Sequence, residues 1–384
     1  MHPMPLQRRW DVVVAGARCA GASTALLLAR RGARVLVVDP APPGRDTLST
    51  HALMRGAVTQ LHRWGLLDRL RAAGTPAIRA TTFDYPDQEV RVEIEARGGV
   101  DALYAPRRTV LDGLLQDAAR EAGATVLHGL SVVDLVRTDA GRVSGAVLAD
   151  ANGGRHTVEA DLVVGADGVR SKVARLVEAP VVRQGRHATA AVYGYWRGID
   201  QADTRWYFRP TLGMGAIPTN GGATCVFLSV TPKVFREAGA RGMADLLVSS
   251  ARRVDPALAR GLSSGARIEG VRGFAGLRGF LRRAVGPGWA LVGDAGYFRD
   301  PLTAHGITDA LRDAELLAGA ATAGTDGAFA GYERTRDAAA LGLMRVTDAI
   351  ASLQWTIPEV KELHHRLARE MKVASAALRR ADAA

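Results

Sequence analysis

Two aspartates closely follow short apolar runs, at places where a carboxylate could hold the sugar or polyol part of a nucleotide. Asp39 comes directly after Val35–Val38, and Asp294 comes two residues after Ala290–Val292. Uninterrupted apolar runs of this length are typical of strands buried on both faces of a parallel sheet. A carboxylate at the carboxyl end of such a strand can accept hydrogen bonds from ribose or polyol hydroxyls. Both positions therefore indicate nucleotide binding.

The first aspartate ends a strand–helix–strand pattern. Val12–Val14 predicts a buried strand, a turn runs from Gly16 to Gly21, and Ala22–Arg31 carries an apolar helical face. Asp39 lies 18 residues beyond Gly21. A unit of this kind places a pyrophosphate at the amino end of its helix, where unpaired N–H groups and the helix dipole favour negative charge.

An arginine interrupts the glycine pattern of this turn. Arg18 stands where the second glycine of a dinucleotide fingerprint is expected, and that glycine normally lets the backbone approach the phosphates closely. Arg18 can keep the turn if its φ angle is negative, with its side chain pointing away or adding positive charge near the phosphates. The segment alone leaves two interpretations open, a cofactor site and an ordinary strand–helix–strand unit.

A second segment, DLVVGADGVRSKVAR, predicts a strand that leads into a tight turn. Leu162–Val164 forms the strand, Gly165 and Gly168 flank Asp167, and Ser171 is a candidate N-cap for the residues that follow. An aspartate between two glycines is also common in ordinary turns. Both a functional and a purely structural role fit this pattern.

The third segment continues from Asp294 through a loop into a helix. The loop contains Asp300 and Pro301, and the helix begins at Gly306 with an apolar face. The free N–H groups of Gly306, Ile307 and Thr308 can face an anionic ring edge. Another strand–helix unit of the same sheet is the alternative, and it leaves the loop composition unexplained.

Taken together, the three segments resemble the FAD-dependent aromatic hydroxylases of the para-hydroxybenzoate hydroxylase type, the class A flavoprotein monooxygenases. GARCAG resembles the ADP-binding loop of that family, GADGVRSKVAR resembles its DG motif, and GDAGYFRDPLTAHGITDALRDAE resembles its GD motif. The stretches 107–123 and 207–226 also fit the family pattern, so the resemblance covers nearly the whole chain.

The resemblance implies an α/β fold. A Rossmann-like FAD-binding domain of the GR2 type is expected to be interwoven with a smaller antiparallel β-sheet substrate domain. The expected boundaries are residues 1–75, 97–180 and 271–384 for the FAD-binding domain, and 76–96 and 181–270 for the substrate domain.

The resemblance also implies roles for individual residues. At the ADP end, Gly16 and Gly21 line the pyrophosphate loop, Arg18 lies near the phosphates and Asp39 binds the adenosine ribose. Further along, Arg108 reaches toward FAD, and Asp167 belongs to the motif linked with FAD and the nicotinamide cofactor. At the flavin end, Asp294 is expected to contact the ribityl chain, and Pro301 is expected to lie beside the oxygen-reactive carbon of the flavin. The pyrimidine edge is expected to face the N–H groups of Gly306, Ile307 and Thr308.

The sequence departs from the family near the flavin. Many members carry an arginine at the position that falls on Ser49 here, and Arg45 is the candidate substitute. His51 is expected near the ring system, where a titratable group could assist proton transfer, with a hydrogen-bonded structural histidine as the alternative. Asp300 and His305 are titratable neighbours of the flavin loop and candidates for catalysis.

The implied reaction uses FAD, NAD(P)H and O₂. In this family NAD(P)H reduces the flavin, O₂ adds to form a flavin hydroperoxide, and its distal oxygen passes to a bound small molecule. The protein must orient the substrate and exclude water. Only one dinucleotide fingerprint is present, so no separate nicotinamide-binding domain is expected.

The middle of the chain predicts a substrate pocket. Period-2 patterns predict strands at Thr81–Tyr85, Val90–Ile94, Ala190–Tyr195, Trp206–Arg209 and Cys225–Val230. Large side chains alternate with smaller ones there. Ordinary packing explains each of them individually, and as a group they suggest an apolar, aromatic-accepting pocket: Tyr193, Tyr195, Trp206, Phe208, Met214 and Phe227. A basic amphipathic helix is predicted over 358–380, and we expect it to pack on the FAD-binding domain, with membrane or partner binding as the alternative.

Composition excludes several other classes. The net charge is +11, but only 4 of the 50 basic residues are lysine and the arginines are scattered. No helix-turn-helix or clustered basic tail indicates nucleic acid binding. Two cysteines, Cys19 and Cys225, cannot build a disulfide framework, and no stretch is typical of a membrane span. We expect a cytoplasmic enzyme, monomeric or homodimeric, without stable membrane insertion.

One rival interpretation remains at this level, and a second similarity is set aside. An FAD-dependent reductase of the geranylgeranyl reductase kind shares the ADP loop and the GD-like helix, and it transfers hydride without oxygenation. The stretch LQWTIP at 353–358 is similar to the WxWxIP signature of flavin-dependent halogenases. It lacks the first tryptophan and follows the GD-like segment, so we interpret the match as chance.

Overall fold

Apolar runs and amphipathic segments alternate along the chain and fold into two large sheets with helices around them. The structure is a computed structural model that describes residues 7–47 and 51–381. In that part of the chain the strands are β1 (Arg9–Ala15), β2 (Val35–Asp39), β3 (Ala80–Tyr85), β4 (Gln88–Glu93), β5 (Thr125–His128), β6 (Leu130–Arg137), β7 (Val143–Asp150), β8 (Arg155–Gly165), β9 (Val181–Gln184), β10 (Ala190–Arg197), β11 (Thr204–Arg209), β12 (Leu212–Thr219), β13 (Ala223–Val230), β14 (Ala266–Arg267), β15 (Arg272–Phe274), β16 (Phe280–Arg282), β17 (Val285–Gly286), β18 (Trp289–Leu291) and β19 (Tyr297–Phe298). The α-helices are α1 (Cys19–Ala29), α2 (Arg55–Arg63), α3 (Leu67–Ala72), α4 (Arg108–Glu121), α5 (Lys172–Leu176), α6 (Pro232–Val254), α7 (Pro256–Ser264), α8 (Gly306–Ala323), α9 (Asp326–Ala351) and α10 (Ile357–Ala381).

The first sheet is a parallel set extended by a meander. Strand β1 pairs in parallel with β2 and β8, and β5 and β18 complete the parallel order β18-β8-β1-β2-β5. Strands β6 and β7 join the long strand β8 as an antiparallel meander. Helix α1 packs between α4 and α8 over the buried face of this sheet. The predicted Rossmann-like unit is confirmed.

This topology brings the predicted carboxylates to one edge. The carboxyl ends of parallel strands meet at the same side of a sheet. Strands β1, β2, β8 and β18 therefore deliver Gly16, Asp39, Asp167 and Asp294 to a common edge.

The second sheet is antiparallel except for one pair. Its order is β14-β10-β13-β12-β11-β3-β4, with β15 also paired to β10. Only β3 and β11 run parallel among these paired strands. Helices α6 and α7 cover one face of this sheet, and together with the sheet they form the second lobe. The other face points toward the first lobe, which consists of the first sheet and the helices around it. All five strands predicted for this region are present, and the glycine-rich β12 was not predicted.

Two connections tie the lobes together. The domain boundaries of the sequence analysis remain a prediction. Near them, β9 pairs with β16 in a small sheet that also contains β19. Strand β15, by contrast, joins the second sheet. Helix α10 packs on α9 and continues onto the second sheet. Among the described residues, none of the helices combines the length and apolar character needed to traverse a lipid bilayer.

Candidate active site

The turn after β1 is built so tightly that it accepts only glycine at two positions. Gly16 has a φ angle of 101°, and a Cβ there would lie 2.4 Å from the carbonyl oxygen of Ala166. A Cβ on Gly21 would lie 1.8 Å from the carbonyl oxygen of Gly16. Helix α1 begins at Cys19, three residues earlier than predicted. The two glycines therefore let β1 and the amino end of α1 approach as closely as a pyrophosphate cradle requires.

Asp39 fastens this turn from the neighbouring strand. Its Oδ2 accepts a hydrogen bond from the amide of Ala17 at 2.9 Å, and its Oδ1 accepts one from the amide of Ala41 at 2.8 Å. A carboxylate oxygen can accept a second hydrogen bond. The predicted contact between Asp39 and a ribose remains a prediction, and the structure adds a role in holding the turn.

A buried ion pair that the sequence analysis missed supports α1 from below. Asp112 accepts hydrogen bonds from the amide nitrogen of Cys19 at 3.1 Å and from Nη2 of Arg108 at 2.9 Å. Both side chains of the pair are almost fully buried. Burial raises the pKa of the Cys19 thiol, so the thiol stays protonated. The spacing of four between Arg108 and Asp112 on α4 was the available signal.

Arg18 is compatible with the turn because its φ angle is negative, as the sequence analysis required. Its φ is −92°, and its carbonyl accepts the amide of Ala22 at 2.8 Å. The side chain lines a cavity of about 420 Å³ together with Arg45, Asp46, Thr47 and Arg272. Ser49 lies outside the described residues. Contact of Arg18 and Arg45 with FAD remains a prediction.

Asp167 is engaged by the short helix that follows it. Its carboxylate accepts hydrogen bonds from Oγ of Ser171 at 2.5 Å and from the amide of Lys172 at 2.6 Å. Ser171 caps α5 by accepting the amide of Ala174 at 2.9 Å, so the predicted N-cap is confirmed. The geometry explains Asp167 as part of a turn, and its cofactor role stays a prediction.

Asp294 differs from the other strand-end carboxylates because it accepts no hydrogen bond and forms no ion pair with any of the residues that the structure describes. It is half-buried, and a Cβ on Gly306 would lie 3.9 Å from its Oδ1. Burial raises the pKa of Asp294 to about 7, against the opposing effect of Arg108. Hydroxyl groups of a ribityl chain would supply hydrogen bonds to this carboxylate. The residue therefore fits the polyol of FAD.

The amino end of α8 also fits a flavin. The N-cap His305 provides no capping side-chain hydrogen bond, and Gly306 is exposed. The amides of Gly306, Ile307 and Thr308 therefore lie at an uncapped helix end, which suits the negative edge of a reduced ring. Burial lowers the pKa of His305 to about 3, so this neighbouring imidazole is neutral.

Asp300 is fully occupied by backbone and hydroxyl donors. It accepts the amide of Thr189 at 2.6 Å, the hydroxyl of Thr189 at 2.7 Å and the amide of Leu302 at 3.0 Å. These bonds fix the turn that begins at Pro301 to the strand entering the second sheet. The geometry favours a structural role for Asp300. Catalysis by Asp300 and Pro301 remains a prediction.

A buried pair of neutral groups lies at the aromatic face of the second sheet. Nε2 of His51 hydrogen-bonds with the hydroxyl of Tyr195, and His51 adopts a left-handed φ of 61°. Burial lowers the pKa of His51 to about 3 and raises that of Tyr195. The guanidinium of Arg107 lies 3.8 Å from the centre of the Tyr195 ring. The two consecutive arginines therefore point to different partners: Arg107 contacts the Tyr195 ring, whereas Arg108 pairs with Asp112 beside α1.

Arg107 is held by carboxylates from two other segments. Its Nη2 lies 2.7 Å from Asp46 and 2.5 Å from Glu269, and Arg272 lies 2.8 Å from Glu269. Sequence reasoning missed Arg107, although it stands in the same dipeptide as Arg108. These paired charges therefore lie against one side of the Tyr195 ring.

Aromatic side chains of the second sheet face the flavin loop. The buried cluster on this face includes Leu302 and Ala304 of that loop together with Tyr193, Tyr195, Trp206, Phe208 and Phe227. A Cβ on Gly213 would lie 2.8 Å from Leu302, so this glycine lets the loop approach β12. Met214 was predicted among the pocket residues, but it packs on the opposite face against α6 and α7. That prediction is wrong because strand neighbours alternate between faces.

The carboxyl-terminal helix covers the far side of this aromatic face. Nδ1 of His364 lies 2.7 Å from the hydroxyl of Tyr85, and the His364 ring centre lies 4.2 Å from that of Phe208. The helix was expected to pack on the FAD-binding domain, and it also packs on the second sheet. Trp355, from the stretch similar to the halogenase signature, donates to the carbonyl of Ile350 at 2.9 Å. Trp355 therefore joins α9 to α10.

Known proteins share both sequence and fold with this chain. The menaquinone reductase of Mycolicibacterium smegmatis is 29% identical over 83% of this chain and 78% of its own length. The digeranylgeranylglycerophospholipid reductase of Methanothrix thermoacetophila is 28% identical over 88% of this chain and 86% of its own.

Solved structures agree in fold at lower identity. The flavin-dependent brominase Bmp2 superposes with a TM-score of 0.80 at 20% identity, over 97% of this chain and 98% of that one. PqsL from Pseudomonas aeruginosa, "a probable FAD-dependent monooxygenase", gives 0.76 at 21% identity, over 95% and 100%. The model of the FAD binding domain family matches residues 9–345. With its strand-end carboxylates, glycine cradle and uncapped α8, this chain belongs to the FAD binding domain family of oxidoreductase-type flavoproteins.

Proposed function

We propose that the protein is an FAD-dependent monooxygenase that uses NAD(P)H and O₂ to oxygenate a small apolar, aromatic substrate. The observation that carries this proposal is the buried pair of His51 and Tyr195 beneath Arg107, on the aromatic face that looks toward the flavin loop. A wall of aromatic rings suits an aromatic ligand through stacking and edge contacts.

FAD, when bound, would supply the redox chemistry, taking hydride from NAD(P)H and activating O₂. The chain's own residues bind and orient it: Asp294 holds the polyol, and the amides at the start of α8 favour negative charge on the ring. The aromatic face and α10 exclude water from the reacting region. Pro301 is proposed to lie beside the ring.

Tyr195 is proposed to handle the polar group of the substrate. Attack of an electrophilic oxygen on an aromatic ring is helped when a ring hydroxyl gives up its proton. As the hydroxyl of Tyr195 accepts this proton, it passes its own proton to Nε2 of His51. The phenolate is then left on the substrate, and the nearby charge of Arg107 stabilises it while it lasts. Since both groups are neutral at pH 7, the hydroxyl of Tyr195 and the imidazole of His51 present no charge of their own to an apolar ligand.

The decisive experiment uses the FAD-loaded protein and a panel of phenols and other aromatic compounds. We expect at least one compound to stimulate NAD(P)H oxidation and to leave with one ¹⁸O atom when ¹⁸O₂ is supplied. Consumption of NAD(P)H with no labelled product from any compound would exclude monooxygenation of this class.

Tyr195→Phe tests the proposed relay. Loss of the hydroxyl should lower kcat/KM about 100-fold while FAD content stays unchanged. Tyr207→Phe is the matched control, because the Tyr207 hydroxyl bonds to Asp255 at 2.7 Å and its ring packs in the cluster on the opposite face of the sheet. Equal effects of the two substitutions would contradict a relay through Tyr195.

A second candidate function is hydride transfer without oxygenation, favoured by the two reductases that match most of the chain. In that case the aromatic face would hold a polyprenyl group. Anaerobic turnover separates the two functions: a reductase reduces an isoprenoid quinone or polyprenyl lipid with NAD(P)H in the absence of O₂, whereas a monooxygenase forms no product.

A further inference from the structure

Strand β9 has one edge that no other strand covers. It ends the small sheet β19-β16-β9, its second edge pairs with no strand of the described residues, and all four of its residues are exposed. The amide of Gly185 donates to the carbonyl of Gly279 at 2.7 Å, and Arg183 is paired with Leu281, so both neighbours of Gln184 face β16. Because successive residues of a strand direct their N–H and C=O groups to opposite sides, those of Gln184 point outward.

Exposed apolar side chains lie along the same edge. Val181 and Val182 of β9 are 48% and 39% exposed, and Leu277, in the connection that leads into β16, is 39% exposed. They are three of the five large apolar side chains exposed within residues 7–47 and 51–381. Apolar side chains spaced along a free edge suit the alternate side chains of an added strand.

The edge is also strongly basic. Residues 179–187 and 275–288 contain no aspartate or glutamate. Two carboxylates from α9 approach, but they are occupied by backbone: Asp348 accepts the amide of Arg186 at 2.8 Å, and Glu333 accepts that of Ala284 at 2.5 Å. Four exposed arginines have no acidic partner in the part of the chain that the structure describes: Arg183, Arg186, Arg278 and Arg283.

The edge strand of the second sheet shows a different arrangement. Strand β4 is also largely exposed, but its charges are compensated within the protein. Arg91 lies 2.9 Å from Glu93 and 3.0 Å from Asp203, and Glu89 lies 2.8 Å from Arg205. Compensated charges of this kind protect an edge strand without attracting a particular partner. The arginines along β9 are uncompensated, and they therefore favour a ligand of opposite charge.

Charge also decides which strand could pair with β9. Pairing of two copies of β9 would bring arginines of one copy beside arginines of the other, and like charges on neighbouring strands are destabilising. An acidic strand would bring carboxylates to the same positions, where Arg183, Arg186 and Arg278 can form charge-assisted hydrogen bonds.

We propose that β9 is the docking site for an acidic, extended segment of a partner protein, which adds to the small sheet as a further strand. Backbone hydrogen bonds to the free edge hold the segment, and the arginines select its acidic side chains. The valines contact its apolar side chains. This inference is independent of the proposed function, because none of these residues belongs to the candidate active site.

The test uses the FAD-loaded protein and a fluorescent peptide of alternating glutamate and valine, about seven residues long. Fluorescence anisotropy at about 0.15 M salt compares it with a peptide in which lysine replaces each glutamate. We expect the acidic peptide to bind at least about 100-fold more tightly. Methylation of alternate peptide nitrogens keeps the charge but removes hydrogen bonds along one edge, and it should weaken binding about tenfold.

Substitutions assign the binding to β9. Arg278→Glu should weaken binding of the acidic peptide about tenfold, whereas Arg252→Glu, at an exposed arginine of α6, changes the net charge equally and should stay within about twofold. Gln184→Pro removes the outward N–H and should weaken binding about tenfold, and Gln184→Ala, which keeps it, should stay within about twofold. Proline is tolerated on an edge strand. Thermal unfolding and FAD content verify the fold of each variant, and the methylated peptide tests the same hydrogen bonds on unaltered protein.

Three outcomes would overturn the proposal. Equal affinity for the acidic and lysine peptides would mean that the arginines only keep copies of the protein apart. Equal effects of Arg278→Glu and Arg252→Glu, or no effect of methylation, would reduce the binding to overall charge. A homodimer in sedimentation that Gln184→Pro dissociates would make a second copy of the chain the occupant of this edge.

Discussion

The two ends of the cofactor cleft satisfy their carboxylates in different ways. At the ADP end, Asp39 accepts two backbone amides, and Asp112 accepts Arg108 and the amide of Cys19. At the expected flavin end, the carboxylate of Asp294 has no hydrogen-bond partner among the described residues, and burial raises its pKa to about 7. Carboxylates of the first kind hold the protein's own turns, whereas one of the second kind keeps its hydrogen-bonding capacity for a ligand. The turn at the ADP end is therefore preorganised, and we expect Asp294 to gain its hydrogen bonds from a bound ligand.

The largest effect is expected from Gly21→Ala at the preorganised end. The added Cβ would lie 1.8 Å from the carbonyl oxygen of Gly16, so the turn and α1 must separate. We expect destabilisation of roughly 4 kcal/mol or more and loss of FAD. Thermal unfolding and FAD content measure both.

Gly113→Ala on α4 is the matched control for that substitution. A Cβ at Gly113 meets no atom within 4 Å. Alanine in a helix interior is favoured over glycine by about 1 kcal/mol, so this variant should be slightly more stable. If Gly21→Ala proved as harmless as Gly113→Ala, the cradle would not have the rigidity assigned to it.

Asp112→Ala should rank next. It leaves the buried guanidinium of Arg108 without its partner, and breaking a buried pair costs about 3–5 kcal/mol. Asp117→Ala removes an exposed partner of Arg120 on the same helix and should cost less than about 1 kcal/mol. Denaturant unfolding of the apoproteins compares them. Similar costs would mean that Arg108 finds another partner.

Asp294→Asn tests the other end, where affinity should change more than stability. Replacing the carboxylate weakens hydrogen bonds from the ribityl hydroxyls, and FAD affinity should fall about tenfold to 100-fold, as expected for bonds to a charged group. Fluorescence titration of the apoprotein with FAD gives the change. Unchanged affinity would remove Asp294 from the binding site.

The pH dependence of apoprotein stability sharpens the same point. The pKa of Asp294 is about 7 in the folded state and 3.8 as the reference for the unfolded chain, so the folded state binds the proton more tightly. This residue therefore lowers the free energy of unfolding as pH rises from about 4 to about 7. Asp294→Asn should remove that decline. An identical pH profile in both proteins would contradict the raised pKa.

The parts of the site that could be predicted from sequence are those encoded locally. Gly16, Gly21 and Asp39 sit within one strand–helix–strand pattern, and Asp294 is the third residue after its strand. Their common edge follows from parallel pairing alone. The contact between Cys19 and Asp112 spans 93 positions, and no local periodicity carries such information.

In the second sheet, too, tertiary contacts determine features that the local sequence pattern does not predict. Strand β12 was not predicted because Gly213, Gly215 and Pro218 interrupt its apolar pattern. These glycines have a tertiary reason: a Cβ on Gly215 would lie 2.2 Å from the ring of Phe227. Met214 was assigned to the wrong face because a period of two gives the alternation but not which face looks at the cleft.

Asp300→Asn is expected to have the smallest effect, and it separates a structural from a catalytic carboxylate. An amide in place of one oxygen faces a donor of Thr189 or Leu302, so one buried hydrogen bond is lost at a cost of about 1–2 kcal/mol. Both the FAD affinity and the turnover rate of the folded fraction should stay within about threefold of wild type, because Asp300 contacts only protein donors. Thermal unfolding and turnover with a substrate found in the screen measure the two quantities. If the turnover rate instead fell by about two orders of magnitude while stability stayed unchanged, Asp300 would belong among the catalytic residues. The rule that carboxylates filled by backbone amides are structural would then fail at the residue next to Pro301.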